Sequence, residues 1–314
     1  MTEEPRDRPS EREQEEAAGT SKGGSRLVLR FFLVPLLVVA TAVGIFLIFS
    51  LMTFERRTPR DYLQEVRGGS ANRRWQAAFE LSRSIGGIPR GPERDALAAE
   101  TLRIFETLNP RRPEDVPVRR YLVLVLGKLG DRAAVPALVA AARDEDSGTR
   151  LYAVWSLGMI GDPRGLESVV AATENDDPGV RKMGAYVLGK LGDRRAVPRL
   201  RVLLGDRVPD VRWNAAIALA SLGDGSGVTV LRSMIDRGAL ARQAELTSEQ
   251  SETAMVNALK ALALLRDPGS LAVIEKAARE DPNLRVREAA REALDATRAR
   301  GSTNLESAAG ILVG

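Results

Sequence analysis

The chain has 314 residues, a formal net charge of only +4, and neither cysteine nor histidine. That excludes disulfides, zinc held by Cys or His, thiol nucleophiles and any catalysis needing an imidazole. The small charge mixes arginine-rich stretches with acids, so no nucleic-acid partner is expected. Aromatics are 4% and β-branched residues do not alternate, which favours an all-α chain.

Residues 1–26 are charged, carry Pro, Gly and Ser, and have almost no large apolar side chain. Such a segment buries too little to offset its ordering entropy, and a disordered tail is expected. Residues 27–54 follow as a transmembrane helix, because Phe31 to Phe54 holds no charge over 24 residues. At helical rise this is roughly 36 Å, against a hydrocarbon core of about 30 Å. The competing reading is a signal peptide cut after Ala42, at the small-x-small site Ala40-Thr41-Ala42. Cleavage there would leave VGIFLIFSLMTF as an apolar mature terminus, which argues for an anchor in the lipid bilayer. Lys22, Arg26 and Arg30 on one side balance Arg56, Arg57 and Arg60 on the other, so charge alone does not orient the helix. An uncleaved N-terminal anchor commonly inserts with its N-terminus inside. The expectation is therefore a single-pass protein of a bacterial plasma membrane, with the large domain outside the cytoplasm. Ala40 and Gly44 form a small-xxx-small pair suited to helix packing, or are incidental.

Residues 55–71 form a juxtamembrane segment, in which Glu55 to Arg67 is expected to continue as a helix; Arg56, Arg57 and Arg60 are placed to meet lipid head groups, or are an ordinary basic flank. The large domain should then span 72–300, because Arg74-Trp75-Gln76-Ala77-Ala78 resembles Arg212-Trp213-Asn214-Ala215-Ala216. Between Val118 and Arg232 the chain repeats every 31 residues. Gly130-Asp131, Gly161-Asp162, Gly192-Asp193 and Gly223-Asp224 share one register, as do Arg119, Arg150, Arg181 and Arg212, and Leu126, Leu157, Leu188 and Leu219. A period of this length means stacked supersecondary units.

Each unit reads as two helices. Asp131 caps the first, with Val135, Leu138 and Val139 on one face; Asp144 to Gly148 makes the turn. The second, about Thr149 to Ile160, is expected to bury Ala153, Leu157 and Ile160 and ends at Gly161. Arg74 to Arg119 is 45 residues, 14 beyond the period, with breaker-rich pieces at 86–92 and 109–117 around a helix from about Glu93 to Leu108. A second excess, of 12 residues, falls between Gly238 and Ser251. Residues 301–314 carry no helix signal and are read as a tail.

The pattern VRKMGAYVLGKLGDRRAVPRLRVLLGDRVPDVR (180–212) resembles HEAT repeats, specifically the short bacterial PBS-lyase HEAT-like form, and extends with gaps over about Asn72 to Arg298. The resemblance implies an α-solenoid, a HEAT-like or armadillo-type superhelix of six or seven helix pairs. It also implies a ladder of Asp and Arg along the stack, using Asp144 with Arg150, Asp206 with Arg212 and Asp281 with Arg287. Asn175 stands in the Asp place before Arg181, and Met255 stands where Arg is expected, so an interruption is predicted beside the insertion. Most such proteins bind other proteins, while a few take part in bilin attachment to phycobiliproteins.

No catalytic constellation, cofactor site or metal site is read from the sequence. Gly223-Asp224-Gly225-Ser226-Gly227 lacks the preceding strand and following Lys-Ser/Thr of a phosphate loop. Candidate partner-binding residues are those of the second helices that fail to repeat: Tyr121, Tyr152, Trp155, Met159, Met183, Tyr186, Lys190 and Asn214, with Leu124, Lys128, Ile217 and Ser221 on the same stripe. Their composition suits an interface core; packing against neighbouring units is the alternative. A basic excess around Arg181, Lys182, Lys190, Arg194, Arg195, Arg199, Arg201 and Arg207 suits a solvated face or an oppositely charged surface. The function expected is a membrane-anchored, non-enzymatic scaffold for a protein partner; the alternative is a membrane-tethered relative of the bilin lyases.

Overall fold

Among the described residues, an apolar helix is followed along the chain by seven stacked helix pairs. The computed structural model describes the backbone of residues 29–53, 57–242 and 246–311, and side chains within 31–49, 57–242 and 246–298. The N-terminal tail read at 1–26 lies outside the described residues. The chain divides into a unit ending at Arg57 and a unit beginning at Thr58.

In the first unit, helix α1 (Val34–Thr53) is entered through a π turn at Leu29–Leu33. Pro35 is the second residue of α1, directly after the π turn. Across the two, Phe31–Phe49 has mean hydropathy 2.8 and none of it is buried; it is long and apolar enough to cross a membrane. The one hydroxyl described there is satisfied locally, Thr41 Oγ1 donating to the Leu37 carbonyl at 2.8 Å.

The regular elements of the second unit, among its described residues, are all helices. Its pairs are α2 (Pro59–Gly68) with α3 (Ala71–Ser84), α4 (Pro92–Thr107) with α5 (Val116–Leu129), α6 (Val135–Ala141) with α7 (Ser147–Ile160), and α8 (Leu166–Ala172) with α9 (Pro178–Leu191). Then come α10 (Val197–Leu203) with α11 (Pro209–Ser221), α12 (Val228–Met234) with α14 (Ser248–Leu265), and α15 (Leu271–Glu280) with α16 (Leu284–Ile311); the short α13 (Arg237–Ala241) lies between α12 and α14. The second helix of each pair packs on the second helix of the next, so an apolar stripe that one pair leaves open is covered by its neighbour.

The repeated residues do this structural work. Leu126, Leu157, Leu188 and Leu219 are all fully buried or nearly so. Gly130, Gly161, Gly192 and Gly223 take φ from 69° to 75°, the left-handed conformation that ends a helix cheaply only at glycine. In the last regular junction Arg266 occupies that place at φ 48°. The aspartate after each glycine caps a 3-10 turn rather than the helix itself: Asp131 accepts from the Ala133 N–H at 2.9 Å, Asp162 from Arg164 at 3.0 Å, Asp193 from Arg195 at 2.9 Å and Asp224 from Ser226 at 2.9 Å. A further 31-residue register went unread: Gly127 meets Ser156, Gly158 meets Val187 and Gly189 meets Ala218, where adjacent second helices touch. A Cβ on Gly189 would lie 2.8 Å from the Ala218 Cα.

Two boundaries differ from expectation. The stack begins at 59, not 72, because Thr58 forms a capping box with Asp61 and starts α2, whose Leu63 and Val66 are fully buried in the solenoid core. Residues 59–68 are thus the first helix of the first pair, not a juxtamembrane extension. At the other end α16 continues through Ile311, since no proline interrupts the sequence after Pro282 and Gly301 and Gly310 cost a helix only about 1 kcal/mol each; the tail read at 301–314 is helical over its described part.

The ladder also differs in its wiring. Asp and Arg six apart do meet, but through the main chain: Arg150 Nη1 donates to the Asp144 carbonyl at 2.8 Å, Arg212 Nη1 to Asp206 at 2.7 Å and Arg287 Nη1 to Asp281 at 2.7 Å. The carboxylates bind arginines of the preceding unit, Arg119 to Asp144 at 2.8 Å and Arg181 to Asp206 at 2.8 Å. Arg74 reaches Asp115 at 2.9 Å in the same way. Met255 is core, 1% exposed. The interruption predicted beside it is bridged from the insertion, where Arg237 of α13 grips Asp281 with two bonds of 2.7 Å.

Candidate functional site

The second helices place residues 31 apart side by side, so a stripe along one helix becomes a sheet of side chains across several. Trp155 on α7 lies beside Tyr186 on α9, their ring centroids 5.7 Å apart and nearly parallel at 18°. Lys190, one turn beyond Tyr186, holds its Nζ 5.6 Å from the Trp155 ring centre. Met183, Trp213 and Ile217 extend this surface, and Lys182 pairs with Asp210 at 2.9 Å across α9 and α11. All of these but Lys190 floor an open groove of about 640 Å³, a size typical of ligand clefts.

The far wall comes from the irregular part of the stack. After the insertion, Thr247 and Gln250 form a capping box that starts α14, and Glu249, Gln250, Thr253, Ala254 and Asn257 face the groove with Leu246 and Met234. The groove therefore joins a flat aromatic floor to an amide-bearing rim. Asn214 Nδ2 donates to the Asp210 carbonyl at 2.8 Å and fixes the side chain, leaving its Oδ1 as an acceptor. Gln250 Oε1 accepts from the Thr247 N–H at 2.9 Å, leaving its NH2 as a donor. Apolar side chains of a ligand suit the floor, and peptide groups suit the rim.

Of the eight residues singled out from sequence, Trp155, Met183, Tyr186 and Asn214 line this groove. Lys190 stands beside it over Trp155. Tyr121 and Tyr152 do not line it; they pack on the core and continue an aromatic series from Phe79, with centroids 5.2 Å and 6.5 Å apart. Met159 is half-buried outside it. The stripe thus divides: one end serves packing between units, and the other opens into a cleft. Trp213, 8% exposed, was read as part of the repeat because it matches Trp75, and the α14 wall was missed because the insertion shifts the register there. The insertion itself was the available signal.

Much of the basic excess is used internally. Arg181 binds Asp206, Lys182 binds Asp210, Arg195 binds Asp193 at 2.7 Å, Arg199 binds Glu174 at 3.3 Å and Arg201 binds Asp224. Burial would raise the Asp224 carboxyl, but hydrogen bonds from Arg201 and Ser226 outweigh it and hold the group at about 2.

The family of HEAT repeats matches residues 110–186 and 166–248. Among solved structures, YibA of Escherichia coli is similar over 76% of this chain and 82% of its own, at 16% identity and a TM-score of 0.53. The complex of CpcE and CpcF of phycocyanin lyase from Nostoc sp. PCC7120 is similar over 78% of this chain and 96% of its own, at 20% identity and a TM-score of 0.50. At such identities the likeness concerns the fold. No curated protein sequence matches the chain.

Proposed function

We propose that this HEAT-repeat solenoid is a membrane-anchored, non-enzymatic scaffold whose groove holds a peptide segment of a protein partner. The observation that carries the reading is the convergence of Trp155, Met183, Tyr186 and Trp213 on one open cleft walled by a helix outside the regular repeat. Large, rigid aromatic side chains in a cleft with a polar rim are the usual anchors of protein recognition. Tyr186 is 44% exposed although it is large and apolar in body, so its ring is available to a ligand. The anchor is assigned to Phe31–Phe49 on length and composition.

A photo-crosslinking residue at Ile217, in the full chain in its native membrane, should yield a protein adduct. The same residue at Val202, 62% exposed on α10 and outside the groove, should not. Equal adducts from both positions, or none from Ile217, would refute the groove as the binding surface. Topology is separable from this. The chain has no native cysteine, so Arg207→Cys gives a single reporter. Labelling by a membrane-impermeant maleimide in intact cells, on a membrane-bound protein of full size, is expected for an uncleaved anchor with the solenoid outside. A product shortened at Ala42 would instead mark a signal sequence.

A further inference from the structure

The ladder step that starts at Arg150 lacks a carboxylate. Arg119 reaches Asp144 and Arg181 reaches Asp206, each 25 residues on; the same step from Arg150 ends at Asn175. In the closed rung Arg181 presents a fork, Nε to Asp206 Oδ2 at 2.8 Å and Nη2 to Oδ1 at 3.0 Å. Arg150 is held by the other end of its guanidinium, with Nη1 on the carbonyls of Asp144 and Glu145 at 2.8 and 2.9 Å. Its Nε is buried, and among the described residues it and Ser168 Oγ are the buried side-chain polar atoms without a hydrogen-bond partner.

Both atoms belong to residues lining one cavity of about 390 Å³, which shares no residue with the peptide groove. Ser168 is 6% exposed, and the matching position one unit earlier is Ala137, so the hydroxyl is not part of the repeat. Asn175 Oδ1 accepts from the Asp177 N–H at 3.0 Å, which leaves the amide NH2 as the group it can offer a ligand. Ala142, Ala171 and Ala172 keep the space open, and Arg143 adds a second positive charge. Of the two acids at the cavity, Asp144 is committed to Arg119, and Glu145 is 77% exposed and directed to Arg111 at 3.8 Å. A buried guanidinium nitrogen and a buried hydroxyl left without partners carry a desolvation cost that an acceptor would remove.

We propose that this cavity is a carboxylate-binding site, in which the carboxylate of a ligand replaces the missing aspartate on the Nε and Nη2 fork of Arg150, with the Ser168 hydroxyl and the Asn175 amide as further donors. A planar carboxylate matches the fork as Asp206 matches Arg181. The group can come from a small free acid or from an acidic side chain of a bound protein.

The test uses the full chain in detergent micelles at neutral pH and fixed ionic strength, with sodium acetate replacing sodium chloride. The side-chain Nε–H resonance of Arg150, assigned by its loss in Arg150→Lys, should shift saturably with acetate, and the unfolding midpoint should rise. In Asn175→Asp, where the rung is closed from within, that resonance should already be displaced and no longer respond. Ser168→Ala should weaken the acetate response several-fold. A blocked Gly-Glu-Gly peptide that reproduces the shift, where Gly-Gln-Gly does not, assigns the site to a protein side chain; a response to acetate alone assigns it to small acids. An Arg150 resonance unmoved by acetate, or an Asn175→Asp chain that responds like the wild type, overturns the proposal.

Discussion

The turn edge of the stack and its groove use the same helices in opposite ways. Along the edge, residues return every 31 positions and are consumed by one another: Arg181 and Asp206 are 9% and 10% exposed in side chain and satisfied by a fork of hydrogen bonds. In the groove, residues do not return, and aromatic surface such as Tyr186 is left uncovered. Repetition marks what the protein needs to stand, and departure from it marks what remains available for recognition. If so, damage to the edge should cost stability, and damage to the groove should cost binding.

The largest effect should come from breaking a closed rung. Asp206→Ala leaves Arg181 without its carboxylate in a buried site, and a loss of about 3 kcal/mol in unfolding free energy is expected by chemical denaturation. An effect below about 0.5 kcal/mol, the usual size for a surface change, would mean that the edge is not what holds the units together. Next comes Gly189→Ala. Its methyl group would meet the Ala218 backbone of the adjoining helix, and a cost of about 1–3 kcal/mol is expected because the helices must separate. A stabilised variant would show that the contact has slack.

Acid should act on the same edge. The Arg181 hydrogen bond holds the Asp206 carboxyl below its ordinary range. At Asp281 burial pushes upward, but the hydrogen bond from Arg237 prevails and the carboxyl is again lowered. A carboxylate depressed on folding contributes stability that is fully present above its unfolded pKa of about 3.9 and is lost as pH falls through the lower folded value. The unfolding midpoint should therefore be flat between about pH 5 and 8, where no histidine titrates, and drop between about pH 4 and 2. Asp206→Asn should flatten part of that drop; an unchanged acid limb would remove the rung from the account. The smallest expected effect is a gain. Arg266 sits at φ 48° where the other units have glycine, so Arg266→Gly should stabilise by about 0.5–1 kcal/mol.

The contrast also governs what the sequence could convey. The 31-residue period was legible because every unit solves the same packing problem with the same residues, from Leu126 to Leu219 and from Gly130 to Gly223. The membership of helix α2 in the stack was not, because Leu63 and Val66 are two apolar positions in a short polar helix beside a far stronger apolar run. The ladder's wiring was half legible: spacing within a unit shows Asp and Arg six apart, but the carboxylate is bound by the arginine of the unit before, and only stacking reveals that. The stand-in of Arg237 for the arginine absent at Met255 needed the fold of the insertion. The groove was legible on one side, through Trp155, Met183, Tyr186 and Asn214, and hidden on the other, where α14 resumes in a shifted register.

The central claim is that the non-repeating residues form a working recognition groove. The most direct test is to pan a library of displayed peptides against the full chain in detergent micelles, then measure the selected peptides on the wild type and on Trp155→Ala with Tyr186→Ala. Peptides with apolar or aromatic anchors should be enriched and lose at least about tenfold in affinity on the double variant, a difference of 1.4 kcal/mol, while its unfolding midpoint stays close to that of the wild type. Peptides that bind the folded double variant with undiminished affinity would contradict it.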